Sequence, residues 1–150
     1  MSRPVVELSE VVTATAAEVW SALVDPDRMG VWLGPFRFVS DGQVGGRFAI
    51  CGMLTDDHPY KESGVLLERV PGERLRFSHW SPLWSLPDVP EHHAILEFRL
   101  TVVAQGTRVD MHQDLPDVEA IAEHASFFWY GALWRLREHF AGSVGPSSSS

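Results

Sequence analysis

Two periodicities divide the chain. Between Asp117 and Ala141, apolar residues recur at Val118, Ile121, Ala122, Ala125, Phe128, Trp129, Ala132, Leu133, Leu136 and Phe140. That is the spacing of one helix face, held for about six turns and roughly 37 Å. Acids sit early (Asp117, Glu119, Glu123) and bases late (Arg135, Arg137, His139), as the helix dipole favours. Asp114 or Asp117 suits the start as a cap, and Gly142 follows the end. A second apolar stripe, Phe127, Tyr130 and Trp134, could pack on other helices, line a cavity or meet another subunit.

The rest of the chain changes period. Val5–Thr13 is rich in β-branched residues and predicts a strand. Thr15-Ala-Ala-Glu18 then fits a capping box opening a short helix with Val19, Trp20, Leu23 and Val24. Asp25-Pro26 ends it and starts a second short helix carrying Met29, Val31, Trp32 and Leu33, stopped at Gly34-Pro35. From Phe36 onward short alternating runs predict six strands: Phe36–Ser40, Arg47–Leu54, Lys61–Val70, Glu73–Trp80, His92–Val103 and Thr107–Gln113. Pro71-Gly72 has the residues of a type II turn, and Gly106 marks the last turn.

Pairing these strands on paper sorts their faces. With Arg99 opposite Asp110 and Glu97 opposite His112, one face is charged and complementary. The other then collects Leu96, Phe98 and Leu100 against Val109, Met111 and Gln113. The Pro71-Gly72 turn likewise sets Leu66 opposite Phe77 and Gly64 opposite His79. One apolar and one polar face is the signature of an antiparallel sheet covered on one side. The order strand, two short helices, six strands, long helix defines an α+β domain: a curved antiparallel sheet wrapped around the C-terminal helix. One domain is expected over residues 1–142, with a low-complexity, disordered tail over 143–150.

A net charge of −8 excludes a nucleic-acid surface, which has to be basic. No apolar run spans a membrane, and the start lacks a signal peptide's apolar region, so a cytoplasmic protein is expected. The lone Cys51 excludes an internal disulfide and a cysteine zinc cluster. In its strand it alternates away from Phe48 and Ile50, as an inert packed thiol does.

The order and spacing of several segments resemble a known family. They are Thr15-Ala-Ala-Glu-Val-Trp20, Asp25-Pro26 followed by Trp32, and Asp41-Gly-Gln-Val-Gly-Gly46. Gly64 through Val70-Pro71-Gly-Glu-Arg-Leu75 belongs with them, as does Trp129 with Leu133 and Leu136. From about Val5 to Phe140 the chain resembles the START-like (SRPBCC) helix-grip superfamily. Within that superfamily it is most similar to the family named after the activator of heat-shock protein 90 ATPase. The resemblance implies the fold strongly and the function weakly.

The candidate chemistry is sparse. Seven histidines form no zinc-type spacing, and no metal or cofactor is expected. If the strand from His92 pairs so that His79 faces His92, the two meet on the concave face near Gln113. They would hydrogen-bond at a cavity rim or orient a ligand. Glu62 and Glu68 are candidate concave-face carboxylates, able to act as acid or base if perturbed. No Ser lies in a nucleophile elbow, and Gly45-Gly46 precedes a strand, so it is a turn and no phosphate cradle. The loop Ser81–Pro90 presents Leu83, Trp84 and Leu86 as a lid or as a permanently packed segment.

These observations predict an internal apolar cavity lined by Phe48, Ile50, Phe77, Leu96, Phe98, Met111, Ala125, Phe128 and Trp129. His79, His92 and Gln113 would be its polar groups. The expected role is binding a small hydrophobic molecule as carrier, sensor or regulatory domain, with a homodimer as an option. Two alternatives stay open: a cyclase- or lyase-type enzyme using cavity His or Glu, and a co-chaperone-like interaction module. The resemblance implies a further N-terminal domain for a eukaryotic-type activator, and none is expected here, which favours binding over co-chaperone action.

Overall fold

The structure is a computed structural model describing residues 3–149, with side chains through Ala141. The tail expected over 143–150 lies outside the described side chains. Seven strands form one antiparallel sheet: β1 (Val5–Val12), β2 (Arg37–Ser40), β3 (Arg47–Thr55), β4 (His58–Val70), β5 (Arg74–His79), β6 (Ala94–Val103) and β7 (Gly106–Asp114). Their spatial order is β1-β7-β6-β5-β4-β3-β2. Two short helices, α1 (Ala16–Val24) and α2 (Gly30–Leu33), follow β1, and α3 (Glu119–Ser149) closes the chain.

Local signals act as their chemistry requires. Glu18 N–H donates to Thr15 Oγ1 at 3.1 Å while Thr15 N–H donates to Glu18 Oε1 at 3.1 Å, a reciprocal capping box. Gly72 takes φ +77° at the β4–β5 turn, where a side chain would be strained. The β6–β7 register pairs Arg99 with Asp110 and Glu97 with His112, so the charged face forms as predicted. Asp114 is no helix cap, because its carboxylate holds Arg3 at 2.6 Å. Helix α3 instead begins under Val118, whose carbonyl accepts from Ile121 at 3.0 Å.

The register between β5 and β6 differs from expectation by two residues. His79 pairs with Ala94, and His92 stands outside the strand. Pro90 starts a 3₁₀ turn, Pro90–His92, which takes these residues out of the sheet. A shift of two preserves the faces, so Leu96 and Phe98 still point inward and both are fully buried.

The core lies between the concave face of the sheet and α3. Trp32 is wholly buried, donates from Nε1 to Ala22 O at 2.8 Å, and meets Phe98 and Trp129 at ring-centroid distances of 5.6 and 6.2 Å. Phe48 and Phe77 stack at 3.9 Å. Arg135 and Arg137 fasten the far half of α3, donating to Trp32 O at 3.1 Å and to Glu10 Oε1 at 3.0 Å.

Candidate functional site

Beneath the first half of α3 the helix and sheet stand apart around a cavity of about 560 Å³, within the usual range of small-molecule sites. Its walls are mainly apolar: Phe36, Phe38, Ile50, Trp84, Phe128 and Trp129, with Leu33, Ile121 and Ala125 between them. Exposed Leu54, Leu83, Val118 and His124 border its mouth.

One end is polar, and four segments build it. On β4, Glu62 pairs with inward-facing Ile50 and so points inward too. Tyr60, two residues earlier, lies opposite Gly52. A Cβ on Gly52 would fall 2.6 Å from the Phe36 ring, so glycine there lets Phe36 lie on the strand and pack edge-on against Tyr60 at 5.8 Å. On β5, His79 is the last strand residue, close behind Gly64. A Cβ on Gly64 would come within 1.8 Å of Ser78 O, so only glycine allows this approach of β4 to β5. Gln113 on β7 faces the same way, and small Ala94 on the intervening β6 leaves room for the two side chains to meet.

The contacts form one chain. His79 Nδ1 donates to Glu62 Oε1 at 2.6 Å, and Tyr60 O–H donates to Glu62 Oε2. Ser81 Oγ lies 2.5 Å from Tyr60 O and accepts from Leu83 N–H at 3.1 Å. Gln113 Nε2 sits 3.0 Å from His79 Nε2. With the amide nitrogen toward the ring, Nε2 accepts and the ring proton sits on Nδ1. Burial pushes the Glu62 carboxyl upward. Its His79 partner, the Tyr60 hydrogen bond and His124 outweigh it, leaving Glu62 below the usual glutamate range. Burial, then the neighbouring Glu62 charge, raises the Tyr60 phenol well above its ordinary value.

Of the residues expected at the site, Ile50, His79, Gln113, Ala125, Phe128 and Trp129 line the cavity, as do Leu83 and Trp84 of the loop. Phe48, Phe77, Leu96, Phe98 and Met111 do not. They face inward as expected but are packed solid in the core. His92 is displaced altogether and donates from Nδ1 to Pro87 O at 2.8 Å, stapling the loop. Leu86 packs partly on the core outside the lining. Glu68 is on the outer face, where Arg74 Nη1 holds it at 3.0 Å. A register shift between Leu66 and Glu68 breaks the alternation that would have kept it with Glu62. The stripe Phe127, Tyr130 and Trp134 stays on the surface, with Phe127 82% exposed.

Sequence reasoning missed Tyr60, Ser81 and His124. Tyr60 had a readable signal, since it alternates with Glu62 on one strand. Ser81 and His124 reach the site through the loop and the pitch of α3, which no local pattern reports. Among the described residues no group of three or more His, Cys, Asp or Glu could hold a metal ion, and no helix is long and apolar enough to cross a membrane.

A curved antiparallel sheet gripping a long helix, with a pocket opening beneath the helix, defines the helix-grip class. The chain belongs to the family described as Activator of Hsp90 ATPase homolog 1-like protein, which it matches over residues 13–141. No curated protein matches the sequence. Among solved structures it is similar to ChR145 from Cytophaga hutchinsonii, at 26% identity over 96% of this chain and 98% of that one, with a TM-score of 0.79. It is also similar to CalU16 from Micromonospora echinospora, at 26% identity over 88% and 73% of the chains and a TM-score of 0.69. The Aha1 dimer from Colwellia psychrerythraea shares the fold, at 15% identity over 91% and 96% and a TM-score of 0.70.

Proposed function

We propose that this chain binds a small, mainly apolar molecule between α3 and the sheet, as a cytoplasmic carrier, sensor or regulatory domain. The observation that carries this reading is the cavity of about 560 Å³, with aromatic walls and a single polar end. Apolar burial at about 25 cal/mol per Å² would supply the affinity, and the polar end the orientation. Nile red, a neutral apolar probe, should bind the native protein with increased emission. Native mass spectrometry of protein from its own host should show a retained small molecule. Absence of both would refute the reading.

The enzyme alternative is less well supported. An acid or base needs a site free to take a proton from substrate. Both oxygens of Glu62 and both ring nitrogens of His79 are engaged by neighbours.

A second copy of the chain could cover the exposed stripe of Phe127, Tyr130 and Trp134, as the dimeric state of the Colwellia relative suggests. Light scattering that reports a monomer at high concentration would remove that option. The co-chaperone activity in the family's description would need a protein surface of its own, and no feature of the cavity calls for one.

A further inference from the structure

Among the described residues, one buried acceptor at the polar end of the cavity has no hydrogen-bond partner. Glu62 accepts from His79 and from Tyr60. With its own proton directed at Glu62, Tyr60 O accepts from Ser81, which in turn accepts from Leu83 N–H. His79 Nε2 accepts from the Gln113 amide nitrogen. The exception is Gln113 Oε1, which has no partner, although Gln113 lines the cavity and is only 1% exposed. A buried acceptor left unpaired is unfavourable, and in native proteins it marks a place where a water or a ligand belongs.

The charges at this end restrict the choice further. Among the described residues neither Lys nor Arg lines the cavity. Glu62 is buried there as the acceptor of two hydrogen bonds and is held in its ionised form by its neighbours. His79 is the partner of that carboxylate, and among the described residues the other histidine of the lining, His124, is exposed at the mouth. A second carboxylate placed beside Glu62 would meet a like charge in a poorly screened site and an acceptor in Gln113 Oε1.

We propose that the cavity selects neutral, mainly apolar molecules bearing a hydroxyl or N–H donor, which is delivered to Gln113 Oε1, and that it discriminates against apolar carboxylates such as fatty acids. This rests on the ligand-binding reading above and specifies the chemical class that reading leaves open. Its physical basis is specificity by buried polar complementarity: a site with a waiting acceptor favours the donor and penalises the analogue that lacks it.

The test uses the full chain and three compounds on one skeleton: naphthol, its methyl ether and naphthoate, each titrated against bound Nile red. Naphthol should displace the probe about tenfold more effectively than the ether, the value of one net hydrogen bond in a buried site, and naphthoate should be the weakest. Gln113→Leu should remove the advantage of naphthol over the ether. Should that variant fail to fold, Gln113→Met offers an unbranched replacement, and the ranking on the parent protein decides the matter without either. Glu62→Gln should narrow the deficit of naphthoate. Equal displacement by naphthol and ether, or preference for naphthoate, overturns the donor-selection proposal while leaving the pocket intact. Failure of Nile red to bind removes the pocket and the proposal together.

Discussion

Helix α3 covers the same sheet along its length, yet its two halves meet different surfaces. In the second half Ala132, Leu133, Leu136 and Phe140 are all buried, and Arg135 and Arg137 tie the helix to α2 and β1. In the first half Ala125 and Phe128 look into open space, while Ile121 and Trp129 close it above. Both halves carry the same kind of apolar residue at the same spacing. Helical periodicity therefore specifies which face turns inward, and the distance to the sheet decides whether that face packs or lines a pocket. A straight helix can stay in contact with only part of a curved sheet, and the gap opens at the end where β3, β4 and the Ser81–Pro90 loop stand away from it.

The contrast can be broken most directly by truncating one aromatic of the packed core and one of the cavity wall. Phe98, fully buried beside Trp32 and Trp129, should cost about 3–5 kcal/mol when replaced by alanine. Phe128→Ala, at the cavity wall, should cost about 1–2 kcal/mol. Urea denaturation of both variants measures this, and equal losses would show that the cavity wall is as tightly packed as the core.

Glu62→Ala should come next, at about 3 kcal/mol, because it strands the Nδ1–H of His79 and the Tyr60 hydroxyl in a buried site. The same group sets a pH dependence. Its folded pKa is depressed, so its stabilisation is complete above the unfolded glutamate value and is lost as pH falls through the lower folded value. Melting temperatures across the acid range should fall more steeply for the parent than for Glu62→Gln. Parallel curves would mean that the polar end contributes no linked stability.

Filling the gap sharpens the comparison further. Ala125→Trp should cost less than the roughly 1–3 kcal/mol that overpacking exacts from a filled core, yet abolish Nile red binding. Retained binding would move the probe site elsewhere, for instance to the exposed stripe on α3. The smallest effect belongs to the outer face. Arg99→Glu disturbs an exposed pair with Glu97, and should leave both probe binding and folding nearly unchanged, as exposed ion pairs generally do.

Much of this architecture was legible in the sequence, because it rests on local rules. The capping box at Thr15, the turn at Gly72, the register that sets Arg99 against Asp110 and the inward face of α3 each depend on neighbours in sequence or on a hairpin between adjacent strands. Parity protects the inward face of β6 although the observed pairing differs from the expected one by two residues. The site depended on what parity does not carry. Pro90 lifted His92 out of the sheet, and the register shift after Leu66 turned Glu68 outward while Glu62 stayed inside. Side chains from β4, β5, β7 and the loop at Ser81 then converged on one network, and five of the expected wall residues became solid core. The sequence determined which residues face inward, since side-chain direction follows backbone period. Only the tertiary structure decided where inward meant packed and where it meant open, because that depends on sheet curvature and helix placement summed over the whole chain.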